Sequence, residues 1–97
     1  MPLLAVFIKP TCPYCRELQP VINQLHQTMS PLFTMYNVAE DPTLFYEVLV
    51  PKLRATGQLT GTPTVPMIVA FDSSKRPVRY TGKRDYASIV RFFRFIS

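Results

Sequence analysis

The stretch LLAVFIKPTCPYCREL, residues 3–18, changes its periodicity across a proline-rich break. Residues 3–8 form an unbroken run of apolar side chains rich in branched and aromatic types, as a central strand buried on both faces requires. Pro10 ends that run. From Pro13 onward the apolar positions Leu18, Ile22, Leu25 and Met29 recur at helical spacing. Pro13 suits the first helical turn, where a backbone N–H would have no partner. Cys15 extends the apolar stripe toward the N-terminus and should face inward. Cys12 falls at or just before the helix start. Pro20, inside the helix, removes a hydrogen bond and should kink it.

Working outward, residues 32–38 (LFTMYNV) read as a second strand. Asp41 and Pro42 supply a cap and first turn for a helix carrying Leu44, Phe45, Val48 and Leu49, which Pro51 should end or bend. Gly57 and Gly61 mark the loop beyond it, and residues 50–62 have no assigned role. MIVAF (67–71) and PVRYT (77–81) read as two strands joined by the tight turn DSSK, hence a hairpin. Tyr86, Ile89, Val90, Phe93 and Ile96 define one face of a final helix. The order is βαβαββα, expected to form a four-stranded mixed sheet flanked by helices in a single domain over 1–97. The first βαβ unit demands a parallel pair and puts the first strand in the middle. The two cysteines then lie beyond the carboxyl end of a central strand, where open α/β sheets carry their sites.

Composition narrows the class. With 47% hydrophobic and 18% charged residues, the 97-residue chain can bury a modest core, so disorder is excluded. Two cysteines cannot build a dense disulfide framework. MPLLAVFI lacks a basic leader and is too short to span a bilayer, so a soluble, cytoplasmic, monomeric protein is expected. The net charge is +5, and Lys75, Arg76, Arg79, Lys83, Arg84, Arg91 and Arg94 all lie in the last quarter. No zinc-finger, RNP or basic-zipper pattern accompanies them. They read as a solvated basic face, with no nucleic-acid or membrane partner expected.

Three chemistries could use a C-x-x-C pair. A tetrahedral metal site needs two more ligands, and His26 is the sole histidine, so only a dimer sharing a metal or cluster would complete one. Inert core thiols would suit Cys15 but not Cys12, which sits between two prolines in a turn. A redox pair suits both. The partial positive charge and free N–H groups of a helix N-terminus stabilise a thiolate at Cys12, placing its pKa in the range of about 3.5–7.5 typical of such motifs. Lys9 and Arg16 should reinforce this. Two intervening residues let the Cys15 sulfur reach Cys12 across one turn and resolve a mixed disulfide formed there.

The chain resembles the thioredoxin and glutaredoxin superfamily over nearly its whole length. CPYC is similar to the glutaredoxin active site, with Lys9 at the position of its lysine. TVP (64–66) resembles the cis-proline motif. The residues alone leave both Pro63 and Pro66 as candidates, and the resemblance selects Pro66, which would turn the Val65 backbone toward substrate. Pro20, YNVAEDP and YTGKR resemble thioredoxin and protein disulfide isomerase instead. Val6 stands where thioredoxins usually carry a buried aspartate, and Thr81, Gly82 and Asp85 match the glutaredoxin Gly-Gly-x-x-Asp motif with its first glycine replaced.

The resemblance implies a dithiol–disulfide oxidoreductase with Cys12 attacking and Cys15 resolving. Lys9, Tyr14, Val65, Pro66, Gly82 and Asp85 would contact substrate. It implies no tightly bound cofactor or metal, glutathione as a co-substrate, disulfide-containing proteins as partners, and glutathione or a thioredoxin-reductase-like enzyme as donor. Two other readings are a redox-inert docking module of the same fold and a dimer binding glutathione or an iron–sulfur cluster.

Overall fold

The computed structural model describes all residues from Met1 to Ser97. Strand β1 (Leu3–Ile8) leads into helix α1 (Pro13–Met29) and strand β2 (Phe33–Asn37). A π-helical stretch (Leu44–Leu49) then runs directly into α2 (Val50–Ala55). The hairpin strands β3 (Met67–Phe71) and β4 (Pro77–Tyr80) and helix α3 (Tyr86–Ile96) complete the chain. The sheet order is β2-β1-β3-β4, with β1 parallel to β2 and antiparallel to β3. Strand β1 is therefore central, as its unbroken apolar run requires.

Alternation along β1 divides the interior in two. Leu4, Val6 and Ile8 pack with Cys15, Leu18, Ile22 and Leu25 of α1 and with Ile89 and Phe93 of α3. Ala5 and Phe7 face the other way, against Phe45, Leu49, Val50 and Leu53 of the π-helical stretch and α2. Helix α1 continues through the exposed Pro20. Both Ser30–Pro31 and the expected Val65–Pro66 are cis peptides.

The expectation that Pro51 ends or bends the second helix meets a different outcome. The Val50 N–H bonds to the Phe45 carbonyl, five residues back, so the widened turn precedes the proline and Pro51 enters the first turn of a fresh α-helical segment. A missing N–H costs nothing there. Helix α2 ends because Gly57 takes the left-handed conformation at φ 73°. The Gly57 N–H reaches the Arg54 carbonyl and the Gln58 N–H reaches the Leu53 carbonyl, a Schellman closure that needs glycine at that position.

That closure gives the unassigned segment a role. It aims Gln58 at the outer edge of β4, where its Oε1 accepts the Arg79 N–H at 2.7 Å and its Nε2 donates to the Pro77 carbonyl at 2.9 Å. One side chain thus replaces the strand that an open edge would otherwise seek. Gln58→Ala should lower stability by about 1–2 kcal/mol, since two half-buried backbone groups lose their partners. Hydrogen exchange at the Arg79 amide should also speed up. Unchanged exchange there would show that Gln58 does not protect the edge.

Candidate active site

Proline and cysteine chemistry make the start of α1. Cys12 is extended (φ −86°, ψ 118°), and its sulfur caps the helix by accepting the Cys15 N–H at 3.3 Å. Pro13 follows at the first helical position, and the turn before it closes through the Cys12 N–H to the Lys9 carbonyl at 3.1 Å. Cys12 is half-buried and Cys15 is 2% exposed, and both are free thiols.

The two sulfurs titrate in opposite directions. The Cys12 thiol is held below its ordinary range chiefly by a hydrogen bond from the Cys15 thiol. Partial burial opposes this, while the backbone N–H groups of Cys15 and Tyr14 and the charge of Arg84 assist. Burial, first, and the hydrogen bond with Cys12, second, push Cys15 up to about 11. Its surroundings explain the burial: Val6, fully buried, lies in the same cluster, and no charged or polar side chain is buried anywhere in the chain. Of the two thiols Cys12 is therefore the one that ionises first, with Cys15 keeping its proton behind it.

The loop before β3 completes the site. When Cys12 carries its proton, its sulfur donates to the Val65 carbonyl at 3.5 Å. The Val65 N–H makes no bond within the chain, and Pro66 is buried beside it. Arg84 lies between two hollows at the surface, one shared with Tyr14, Glu17 and Leu18 and the other with Pro66, Tyr80, Thr81 and Gly82. Cys12, Tyr14, Val65, Pro66, Gly82 and Arg84 therefore surround one surface region, with Tyr14 63% exposed at its margin.

Two residues of the expected substrate contacts are engaged elsewhere. Lys9 extends its ammonium over the Tyr46 ring, 5.8 Å from the centroid. Asp85 caps α3, accepting the Ser88 N–H at 2.8 Å and the Ser88 hydroxyl at 2.9 Å. Gly82 is fixed by crowding: a Cβ there would lie 2.6–2.9 Å from the Tyr80 ring and hydroxyl. The Tyr80 hydroxyl donates to the Lys83 carbonyl, so the ring occupies the space beside the glycine. The cation that acts on both sulfurs is Arg84, not Lys9 or Arg16. Its position in YTGKR was the available signal. His26 sits edge-on to Phe33 at 4.7 Å, and no three His, Cys, Asp or Glu side chains converge as a metal site.

Known proteins resemble this chain in sequence and in fold. The Thioredoxin family model matches residues 1–94. The protein disulfide-isomerase erp38 of Neurospora crassa is 33% identical over 92 residues, covering 94% of this chain and 23% of that protein. Glutaredoxin-1 of Oryctolagus cuniculus is 38% identical over 66 residues, covering 67% of this chain and 56% of that protein. The chain thus spans well under two thirds of either relative. Among solved structures, the J-Trx1 fragment of ERdj5 superposes with a TM-score of 0.68 at 22% identity, over 94% of this chain and 39% of that one. The first thioredoxin domain of mouse protein disulfide-isomerase A4 gives 0.63 at 19% identity, over 98% and 62%. With its C-x-x-C at the head of α1, its cis-proline loop alongside and a family match over residues 1–94, the chain belongs to the thioredoxin family.

Proposed function

We propose that the chain is a thiol–disulfide oxidoreductase that reduces disulfides in extended protein segments. One observation carries this reading: an accessible sulfur at a helix N-terminus is stabilised as thiolate by a second, buried thiol one turn away. The relatives, a protein disulfide isomerase and glutaredoxins, support the same class of chemistry.

In the forward direction the Cys12 thiolate attacks one sulfur of a substrate disulfide. The substrate S–S bond breaks, its other sulfur leaves as a thiolate, and a mixed disulfide joins Cys12 to the first sulfur. That step removes the negative charge at Cys12, which is among the causes holding the Cys15 proton. Arg84, whose charge favours ionisation of Cys15, then assists loss of its proton to the substrate thiolate released in the first step or to water. The Cys15 thiolate attacks the Cys12 sulfur, expels the substrate's remaining thiolate and leaves a Cys12–Cys15 disulfide. Two electrons pass to the substrate, and an external dithiol or two molecules of glutathione restore the pair.

The free Val65 N–H and its carbonyl at the Cys12 sulfur suit an extended segment that pairs as a strand. Glutathione has less to hold it. The Tyr80 ring crowds Gly82, Asp85 is committed to Ser88, and Lys9 is drawn to Tyr46. Lys83 and Arg84 still offer charge for its carboxylates. We therefore expect brisk reduction of a protein disulfide when a thioredoxin reductase supplies electrons, and slower turnover with glutathione and its reductase. Turnover in neither system would overturn the oxidoreductase reading. Faster turnover with glutathione would overturn the preference for extended protein segments.

A further inference from the structure

The two faces of the sheet are covered unequally. Helices α1, 17 residues long, and α3, 11 residues long, lie on one. The other has only the six-residue π-helical stretch and the six-residue α2. Along β1, from Leu3 to Phe7, this leaves a cleft of about 310 Å³. Phe7, Tyr36 and Phe71 form its floor, and Leu44 and Val48 of the π-helical stretch form one wall. Within that stretch Phe45 and Leu49 are buried, while Val48 remains 42% exposed. A bound apolar group would remove this exposed apolar surface from water.

The charged residues lining this cleft are Lys52 and Lys75, both cationic. Neither is neutralised: the chain's single ion pair joins Arg76 to Asp72, at 3.4 Å. The Asp72 carboxylate also accepts the Ser74 and Arg76 N–H groups, each at 2.9 Å, which commits it to the hairpin turn. Lys75 itself has φ 64°, a conformation in which glycine or asparagine is the less strained choice. The volume lies at the lower end of the roughly 300–1,000 Å³ typical of small-ligand pockets. It suits one short acyl chain or ring system.

We propose that this cleft binds a single anionic amphiphile, its apolar chain on the Phe7–Tyr36–Phe71 floor and its carboxylate between Lys52 and Lys75. The site is separate from the cysteines, which pack in the cluster on the other face of the sheet, so it stands or falls independently of the redox chemistry.

Titration of the reduced chain with decanoate, followed by amide chemical shifts, tests the proposal. Saturable binding at one site should move the Leu3, Phe7, Tyr36, Val48 and Phe71 signals. Shortening the ligand to octanoate should weaken it by about fourfold for each methylene removed. The charge-reversed decyltrimethylammonium should bind more weakly. The double variant Lys52→Gln, Lys75→Gln should weaken decanoate roughly fivefold and leave decanol unaffected. Val48→Trp, at a position exposed enough to tolerate it, should fill the cleft and abolish binding. Scattered, unsaturable shifts would overturn the proposal. So would equal affinity for anion and cation, or undiminished binding to the Val48→Trp chain.

Discussion

Cys12→Ser should reduce disulfide turnover to the uncatalysed level, whereas Cys15→Ser should still attack once and accumulate a mixed disulfide. The asymmetry follows from position. Cys12 is the half-buried sulfur facing the Val65 loop, and Cys15, 2% exposed, cannot meet an incoming disulfide. Serine at position 15 keeps a hydroxyl to donate to the Cys12 thiolate but has no sulfur with which to release the substrate. The pH dependence has a definite sign. Because the Cys12 pKa is lowered, its alkylation rate should rise with pH about a midpoint below the ordinary thiol value of about 8.5. Cys15 should label only as the pH approaches about 11. Arg84→Gln removes one of the influences that lower the Cys12 pKa, so its profile should move to higher pH. Mass spectrometry after limited alkylation separates the two sulfurs, and labelling of Cys15 first would reverse the assigned roles.

Where burial dictates the pattern, the sequence was readable. β1 is apolar at every position because Leu4, Val6 and Ile8 serve one cluster while Ala5 and Phe7 serve the other. The periodicity of α1 located Cys15 on the buried stripe, and Pro13 located the helix start. Pro51 was harder, because the rule that proline breaks helices assumes four-residue hydrogen-bond spacing. The π turn changes that spacing just upstream, where Val50 bonds to Phe45. Gln58 was invisible for another reason. Its partners Pro77 and Arg79 lie 19 and 21 residues away, and no local pattern marks a side chain that will stand in for a strand.

The same distinction divides the site. Cys12 and Cys15 belong to a single helical turn, so spacing alone suggests attacking and resolving roles for them. The electrostatic partner does not. Lys9 is three residues from Cys12, yet its ammonium lies over Tyr46, drawn to a ring face in the π-helical stretch. Arg84 is 72 positions away from Cys12 by numbering, 84 − 12, and reaches the sulfurs because the turn after β4 returns to the head of α1. Proximity in the chain fixes where a backbone goes. The direction of a long side chain is decided by what it meets across the fold.

The largest stability loss should come from the face of the sheet away from the cysteines. Phe45 is 1% exposed, lies 5.4 Å from the Phe7 ring and meets Tyr46 edge-on at 4.9 Å. It is the aromatic anchor of a short helical pair that covers this side alone, so little neighbouring structure can collapse into the space it leaves. Phe45→Ala should cost about 3–5 kcal/mol, a large part of the roughly 5–15 kcal/mol that holds a domain together. At about 4–8 °C per kcal/mol, the midpoint of thermal unfolding should fall by roughly 12–40 °C. Phe95→Ala provides the contrast: with that ring 88% exposed, its loss should change stability by no more than about 0.5 kcal/mol. Below its own unfolding midpoint the Phe45→Ala chain should keep the Cys12 alkylation profile, because Cys15, Val6 and Ile22 belong to the other cluster. A small midpoint shift would mean that the π-helical stretch does not anchor its face. A displaced alkylation profile would mean that the two clusters are coupled through β1.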